Sequence, residues 1–197
     1  GLASPSTWQR AGLRFLLITS PLHPRNRPRM LARMTVAAKT RVVVGMSGGV
    51  DSSAAAALLI EQGYEVIGIT LKLWPQDCVN RAEDKCCGPQ AVSDARAVCH
   101  QLGVPYYLID EAEEFQGKVI QYFAEEYKAG RTPNPCVMCN ERLKFGTLIH
   151  RARQLGANKI ATGHFARVEF SPQGAPGSGR YLLKRGRDNR KDQSYFL

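Results

Sequence analysis

Two thiols stand three positions apart in Gly130-Arg131-Thr132-Pro133-Asn134-Pro135-Cys136-Val137-Met138-Cys139-Asn140, in a stretch stiffened by two prolines. A thiol presented just before a helix feels the positive end of the helix dipole, which lowers its pKa and raises the thiolate fraction. A Cys-x-x-Cys pair serves as a redox couple, as half of a zinc site or as part of an iron–sulfur site. A closed zinc site needs two further ligands, and the adjacent Cys86-Cys87 are poorly spaced to supply them. No structural metal is therefore expected.

A second run, Gly45-Met46-Ser47-Gly48-Gly49-Val50-Asp51-Ser52-Ser53, joins a β-branched segment to an Ala/Leu-rich one. Small residues between a strand and a helix let backbone N–H groups approach a phosphate, and the helix N-terminus adds positive potential. No Lys follows the glycines, so the run is not a Walker A loop, and G-x-G-x-x-G is absent from it. Asp51 is unexpected beside an anion. A carboxylate fits there when it holds Mg²⁺ bridging phosphate oxygens. The alternative is a tight turn with Asp51 capping a helix.

The elements that must position these runs follow from periodicity and punctuation. Strands are expected at Arg41–Gly45, Glu65–Leu71, Pro105–Asp110 and Lys159–Thr162, and a further one at Tyr181–Lys184. Helices are expected at Ser52–Gln62, Gln90–Leu102, Glu113–Lys128 and Glu141–Leu155, each followed by a glycine within two residues. Residues 75–89, Thr132–Asn140 and 171–179 read as loops from their Pro and Gly content. Alternating strand and helix with short connections gives an α/β fold, a doubly wound parallel sheet. Ligands of such sheets sit at the carboxyl ends of the strands. The glycine run follows the first strand, and Gly163-His164 follows the fourth. His164 suits either a phosphate donor or a satisfied structural histidine.

Composition sets the frame. The 197 residues carry a net charge of +10, unevenly spread. Residues 1–50 hold eight Lys/Arg and no acid, residues 51–178 are nearly neutral, and residues 179–197 hold six Lys/Arg against two Asp. Basic ends on a neutral body point to a polyanionic partner. Apolar runs are too short to span a bilayer, so no membrane partner is expected. Six cysteines allow three disulfides, but without a clear signal peptide used thiols in a reduced compartment fit better. Cys99 reads as core, and Cys78, Cys86 and Cys87 fall in a polar loop.

Residues 1–38 are expected to be a disordered or non-native extension. They are acid-free and punctuated by Pro5, Pro21, Pro24 and Pro28. They suit either an organellar transit peptide over residues 1–33 or sequence upstream of a start at Met30 or Met34. The compartment is then mitochondrial or cytoplasmic, with cytoplasmic preferred. Residues 39–170 are expected to form the main domain, and residues 171–197 a linker with the start of a nucleic-acid-contacting segment. The chain stops inside the apolar run Tyr195-Phe196-Leu197, where a domain rarely ends, and truncation is expected.

Ser47-Gly48-Gly49-Val50-Asp51-Ser52 resembles the PP-loop of the ATP pyrophosphatases, the adenine nucleotide alpha hydrolase-like group. With the Cys136–Cys139 segment, Gly68–Trp74, Ala161–Arg167 and Lys191–Leu197, the chain from about Arg41 is similar to the tRNA-specific 2-thiouridylases. That resemblance implies ATP-dependent thiolation of the tRNA wobble uridine by a tRNA-uridine 2-sulfurtransferase, with ATP and Mg²⁺ as cofactors. It implies a nucleotide site of Gly45, Met46, Ser47, Gly48, Gly49, Val50, Asp51, Ser52, Leu71 and Gly163, with Asp51 and Cys139 as catalytic residues. It implies tRNA contacts from Asn134, Pro135, Cys136, Lys191, Asp192 and Gln193, joined by phosphate contacts from Arg185, Arg187 and Arg190. Its partners would be tRNA and a persulfide-carrying relay protein or cysteine desulfurase. The family's second cysteine, which carries the persulfide, and its later domains lie beyond Leu197. One branch of the family has Asp where this chain has Cys136, which raises an iron–sulfur cluster or an off-pathway disulfide. The rival functions are an amide-forming PP-loop synthetase and a non-catalytic metal-binding RNA module.

Overall fold

The computed structural model describes residues 16–19, 39–73, 88–172 and 179–197. The expected loop cysteines Cys78, Cys86 and Cys87 lie outside those residues. Seven strands are described: β1 (Leu16–Thr19), β2 (Arg41–Gly45), β3 (Glu65–Lys72), β4 (Tyr106–Asp110), β5 (Lys159–Thr162), β6 (Ala166–Pro172) and β7 (Gly179–Arg185). Five form one sheet in the order β1-β5-β2-β3-β4. β5, β2, β3 and β4 run parallel, with Val43 opposite Ile67 and Ile160. Four parallel strands need crossovers, and the helices supply them.

The helices are α1 (Val50–Glu61), α2 (Pro89–Gln101), α3 (Ala112–Phe115), α4 (Gln121–Lys128), α5 (Pro135–Met138) and α6 (Gly146–Gln154). Because strand side chains alternate, β2 divides the core in two. Val42 and Val44 face Ala55, Ala56 and Leu59 of α1 and Ala95 and Cys99 of α2. Val43 faces the opposite layer, with Val119, Leu143, Leu148 and Ala152. All three valines are fully buried. The sheet is thus covered on both faces, as expected of a doubly wound fold.

Four differences from the expected elements have physical reasons. Thr132–Asn140 is not a loop throughout, because α5 begins at Pro135. Proline at the first helical position forfeits only an N–H that has no helical partner. The Asn134 side chain caps that start, accepting from the Cys136 and Val137 amides at 3.0 and 3.3 Å. Secondly, the long helices expected at 113–128 and 141–155 each contain a wide π turn, at Gln116–Ile120 and Cys139–Phe145. Hydrophobic spacing does not separate a π turn from an α turn of the same apolar content.

Thirdly, β6 was not expected. It pairs antiparallel with β7, which extends the strand expected at Tyr181–Lys184. The boundary placed between residues 170 and 171 falls inside β6, and residues 173–178 of the expected linker lie outside the described residues. Finally, β1 adds antiparallel to β5, Leu16 opposite Thr162. These four residues fall in the segment expected outside the fold and differ from that expectation. The remainder of residues 1–38 lies outside the described residues.

Candidate nucleotide cleft and cysteine turn

The glycine run forms the connection from β2 to α1, at the carboxyl end of the sheet. Its first residues are anchored to β3: the Met46 amide donates to Ile69 O at 2.8 Å, and Thr70 Oγ1 donates to Met46 O at 2.8 Å. Beyond them the chain turns at Gly48, with φ +75°. A Cβ there would also lie 2.4 Å from Ala91 O, so only glycine fits. Ser52, buried in the first turn of α1, laces the loop. Its Oγ accepts from the Ser47 amide at 3.2 Å and donates to Gly49 O at 3.0 Å. Ser53 Oγ donates to the same carbonyl at 2.9 Å. The loop is therefore held before any ligand arrives, with the N-terminus of α1 directed outward.

A cleft opens beside this loop, lined by Gly45, Met46, Ser47 and Ser52, by Ile69, Leu71 and Leu73 of β3 and the residue after it, by Lys144 and Leu148, and by Thr162, Gly163 and His164. The two ends differ in chemistry. The β3 side chains and Leu148 make an apolar wall suited to a planar base. The glycine run and the start of α1 offer backbone donors suited to phosphates. Gly163 closes the contact between walls. A Cβ on it would stand 2.6 Å from Asp51 C and Ser52 N, so its backbone packs directly on the first turn of α1. Asp51 is exposed at that turn, where a carboxylate can reach a solvated cation without desolvation. Mg-ATP therefore fits the donor set, the apolar wall and the free carboxylate.

His164 stands at the other rim. Its Nδ1 lies 2.8 Å from Thr162 Oγ1 and its ring 6.3 Å from that of Phe145. Burial, reinforced by the Lys144 cation, pushes its pKa down to about 4. The imidazole is neutral at pH 7, so Lys144 is the full positive charge among the cleft-lining residues.

Lys144 belongs to the π turn that begins at Cys139. Cys139 is buried and packs in the same core layer as Leu143 and Leu148. Cys136, one α-helical turn earlier, is exposed, and neither cysteine is in a disulfide. The two thiols thus occupy different environments. Among the described residues no group of three His, Cys, Asp or Glu gathers as a metal site, so the described residues give the iron–sulfur expectation no ligand set.

The expected site residues fall into three groups in space. Gly45, Met46, Ser47, Ser52, Leu71 and Gly163 line one cleft, and Gly48, Gly49, Val50 and Asp51 complete the loop above it. Asn134, Pro135, Cys136 and Cys139 share α5 and the turn after it. Lys191, Asp192 and Gln193 lie together beside the His164-Phe165 turn, where the Gln193 amide donates to Phe165 O at 2.9 Å. Lys144 and Thr162 were missed. Lys144 carries no sequence signal; it lies in the π turn and lines the cleft.

Comparison with known proteins places the chain. Residues 40–197 match the family model described as tRNA methyl transferase HUP domain. The tRNA-specific 2-thiouridylase MnmA of Heliobacterium modesticaldum is 54% identical over 159 residues, which are 81% of this chain and 40% of that protein. The protein of the same name from Clostridioides difficile is 50% identical over 157 residues, 80% of this chain and 42% of its own length. The chain spans about two fifths of the length of these curated relatives. Among solved structures, NMN synthetase from Francisella tularensis superposes with a TM-score of 0.40 at 24% identity, covering 61% of this chain and 44% of its own. Among the described residues no helix is long and apolar enough to cross a membrane.

Proposed function

The chain belongs to the tRNA methyl transferase HUP-domain family, and from that premise we propose that it is the ATP-binding part of a tRNA-uridine 2-sulfurtransferase. The observation that carries this reading is one turn shared by two chemistries. The π turn from Cys139 to Phe145 starts with a thiol and carries Lys144 into the wall of the nucleotide cleft. An adenylating site needs a nucleotide, and a thiolating site needs a sulfur nucleophile beside it.

In this reading the glycine run and the N-terminus of α1 hold the phosphates, and Leu71 with its neighbours holds the adenine. Asp51 holds Mg²⁺, which neutralises phosphate charge when bound. Lys144 lies where negative charge develops as pyrophosphate leaves. The C2 oxygen of uridine is a poor leaving group; its attack on the α-phosphate expels pyrophosphate and joins the oxygen to AMP, which can then leave from C2. A persulfide sulfur then attacks C2 and displaces AMP. Cys139, as thiolate, attacks the persulfide cysteine's own inner sulfur and breaks its bond to the sulfur now on C2, so that thiouridine leaves and a disulfide joins the two cysteines. Asn134, Pro135 and Cys136 border the uridine, which must leave the anticodon stack as single-stranded loop bases do. The exposed Lys191, with Arg187 and Arg190, meets tRNA. The persulfide donor is a relay protein or desulfurase, and the compartment is cytoplasmic. Residues 39–170 act as the nucleotide domain.

Calorimetry on the whole chain tests the nucleotide assignment. Mg-ATP is expected to bind the wild type, and Asp51→Ala to weaken that binding strongly while leaving binding of ATP with EDTA little changed. Equal Mg-ATP affinity in both proteins would remove Asp51 from the metal role.

A further inference from the structure

The segment after β7 turns back onto the rim of the cleft, and its side chains are committed to holding it there. Phe165 is gripped on both backbone groups by one residue. Its amide donates to Gln193 Oε1 at 2.8 Å, and its carbonyl accepts from the Gln193 amide at 2.9 Å. The Lys191 ammonium lies 5.3 Å from the centre of the Phe165 ring. Asp192 ties the segment to itself: Oδ1 accepts from the Gly186 and Ser194 amides at 2.8 and 3.2 Å, and Oδ2 accepts from Ser194 Oγ at 3.0 Å. Asp192, Gln193 and Ser194 are half-buried, whereas Arg187, Arg190 and Lys191 are exposed. Phe165 directly follows Gly163 and His164, both of which line the cleft.

We propose that Gln193 and Asp192 form a clasp that positions the Gly163–His164 edge of the nucleotide cleft, so that a basic, RNA-facing segment sets nucleotide affinity. This rests on the assignment of ATP to the cleft. The physical reason is the backbone contact of Gly163 on the first turn of α1, too close for any side chain. A rim packed that closely transmits a shift of Phe165 into the phosphate end. Polyanion drawn to Arg187, Arg190 and Lys191 can then act on the cleft through the Gln193 and Asp192 bonds and the Lys191–Phe165 contact. Coupling of this kind is reciprocal, since each ligand alters the other's affinity by the same factor. Gln193 and Asp192 are positioning residues and need not touch RNA.

Gln193 accepts one bond through Oε1, and a glutamate in its place can accept it equally. Gln193→Leu cannot. A residue contacting RNA phosphate behaves oppositely, because Gln193→Glu sets a carboxylate against phosphate. The readouts, made on the whole chain without RNA, are Mg-ATP affinity by calorimetry and the titration of the His164 imidazole by NMR. Gln193→Leu is expected to weaken Mg-ATP about tenfold, which is about 1.4 kcal/mol. It is also expected to move the His164 midpoint from about 4 toward its ordinary value of 6.5, as water enters the rim facing Lys144. Gln193→Glu is expected to bind Mg-ATP within about twofold of wild type, roughly 0.4 kcal/mol. Gln193→Ala, which lets water reach the Phe165 amide, takes both readouts if the Leu variant does not fold. Unchanged affinity and an unchanged His164 midpoint in Gln193→Leu, or a Glu variant as impaired as the Leu variant, would overturn the clasp. Failure of the wild type to bind Mg-ATP would instead sink the cleft assignment, and the His164 midpoint would still decide the clasp.

Discussion

Replacing Gly163 by alanine puts a methyl carbon 2.6 Å from Asp51 C and Ser52 N and 2.8 Å from Asp51 O. All three are backbone atoms in the first turn of a helix, and none can swing aside as a side-chain tip would. Ordinary contact begins near 3.4 Å, so the β5 end and α1 must separate by the better part of an ångström. Overpacking of this kind costs about 1–3 kcal/mol. In a domain of this size each kcal/mol lowers Tm by roughly 2–4 °C, which gives a fall of about 2–12 °C. The cleft suffers beyond stability, because the displaced turn carries Asp51 and the phosphate-facing amides. A misplacement near 1 Å can cost about a hundredfold in a positioned reaction, and Mg-ATP affinity is expected to fall at least about tenfold. Thermal unfolding with and without Mg-ATP reads both effects. Saturating ligand at about a hundred times Kd stabilises by about 2.7 kcal/mol, and tenfold weaker binding removes about half of that. The control is Gly117→Ala in the π turn at Gln116–Ile120, where an added Cβ meets nothing within 4 Å. It should leave both readouts nearly unchanged. A Gly163→Ala protein that melts and binds Mg-ATP like the wild type would show that the two walls are not in contact as described.

Stability depends on pH through His164. Its folded pKa of about 4 lies below the ordinary 6.5, so between those values the unfolded chain binds the extra proton. Stability is then full above about pH 6.5 and falls as pH drops toward 4, by up to about 3 kcal/mol. His164→Asn should flatten that slope in denaturant titrations, and an equal slope in the variant would refute the assignment. Thiol labelling should be ordered by exposure. Cys136 is exposed, Cys139 is buried, and Cys99 is buried with its pKa pushed up by desolvation. Among these three thiols, mass spectrometry after brief iodoacetamide treatment should find Cys136 modified first and Cys99 last, and faster labelling of Cys139 than Cys136 would contradict the packing of the π turn.

The sheet was legible because buried parallel strands are short β-branched runs and the longer helices α1, α2, α4 and α6 each end just before a glycine. Arg41–Gly45 and Lys159–Thr162 appear with their expected bounds. The glycine run was legible for a related reason, since Gly48 and Gly163 sit where no side chain fits. Long-range consequences were not. Pro135 reads as a loop residue until Asn134 is seen capping it, and a π turn has no signature in apolar spacing. Lys144, within that turn, lines the cleft. Asp192 and Gln193 look like polar residues awaiting a partner, and their partners are the Ser194 hydroxyl and backbone groups up to 28 positions away.

The most direct test follows the α-phosphate. The whole chain is incubated with Mg-ATP labelled at the α-phosphate and an unmodified tRNA bearing a wobble uridine, and nucleotide products and RNA are separated. The expected products are pyrophosphate with label on AMP or on the tRNA, formed only when tRNA is present and lost in Asp51→Ala. Label recovered as ADP with free phosphate, or cleavage indifferent to tRNA, would contradict adenylation of a tRNA base in this cleft.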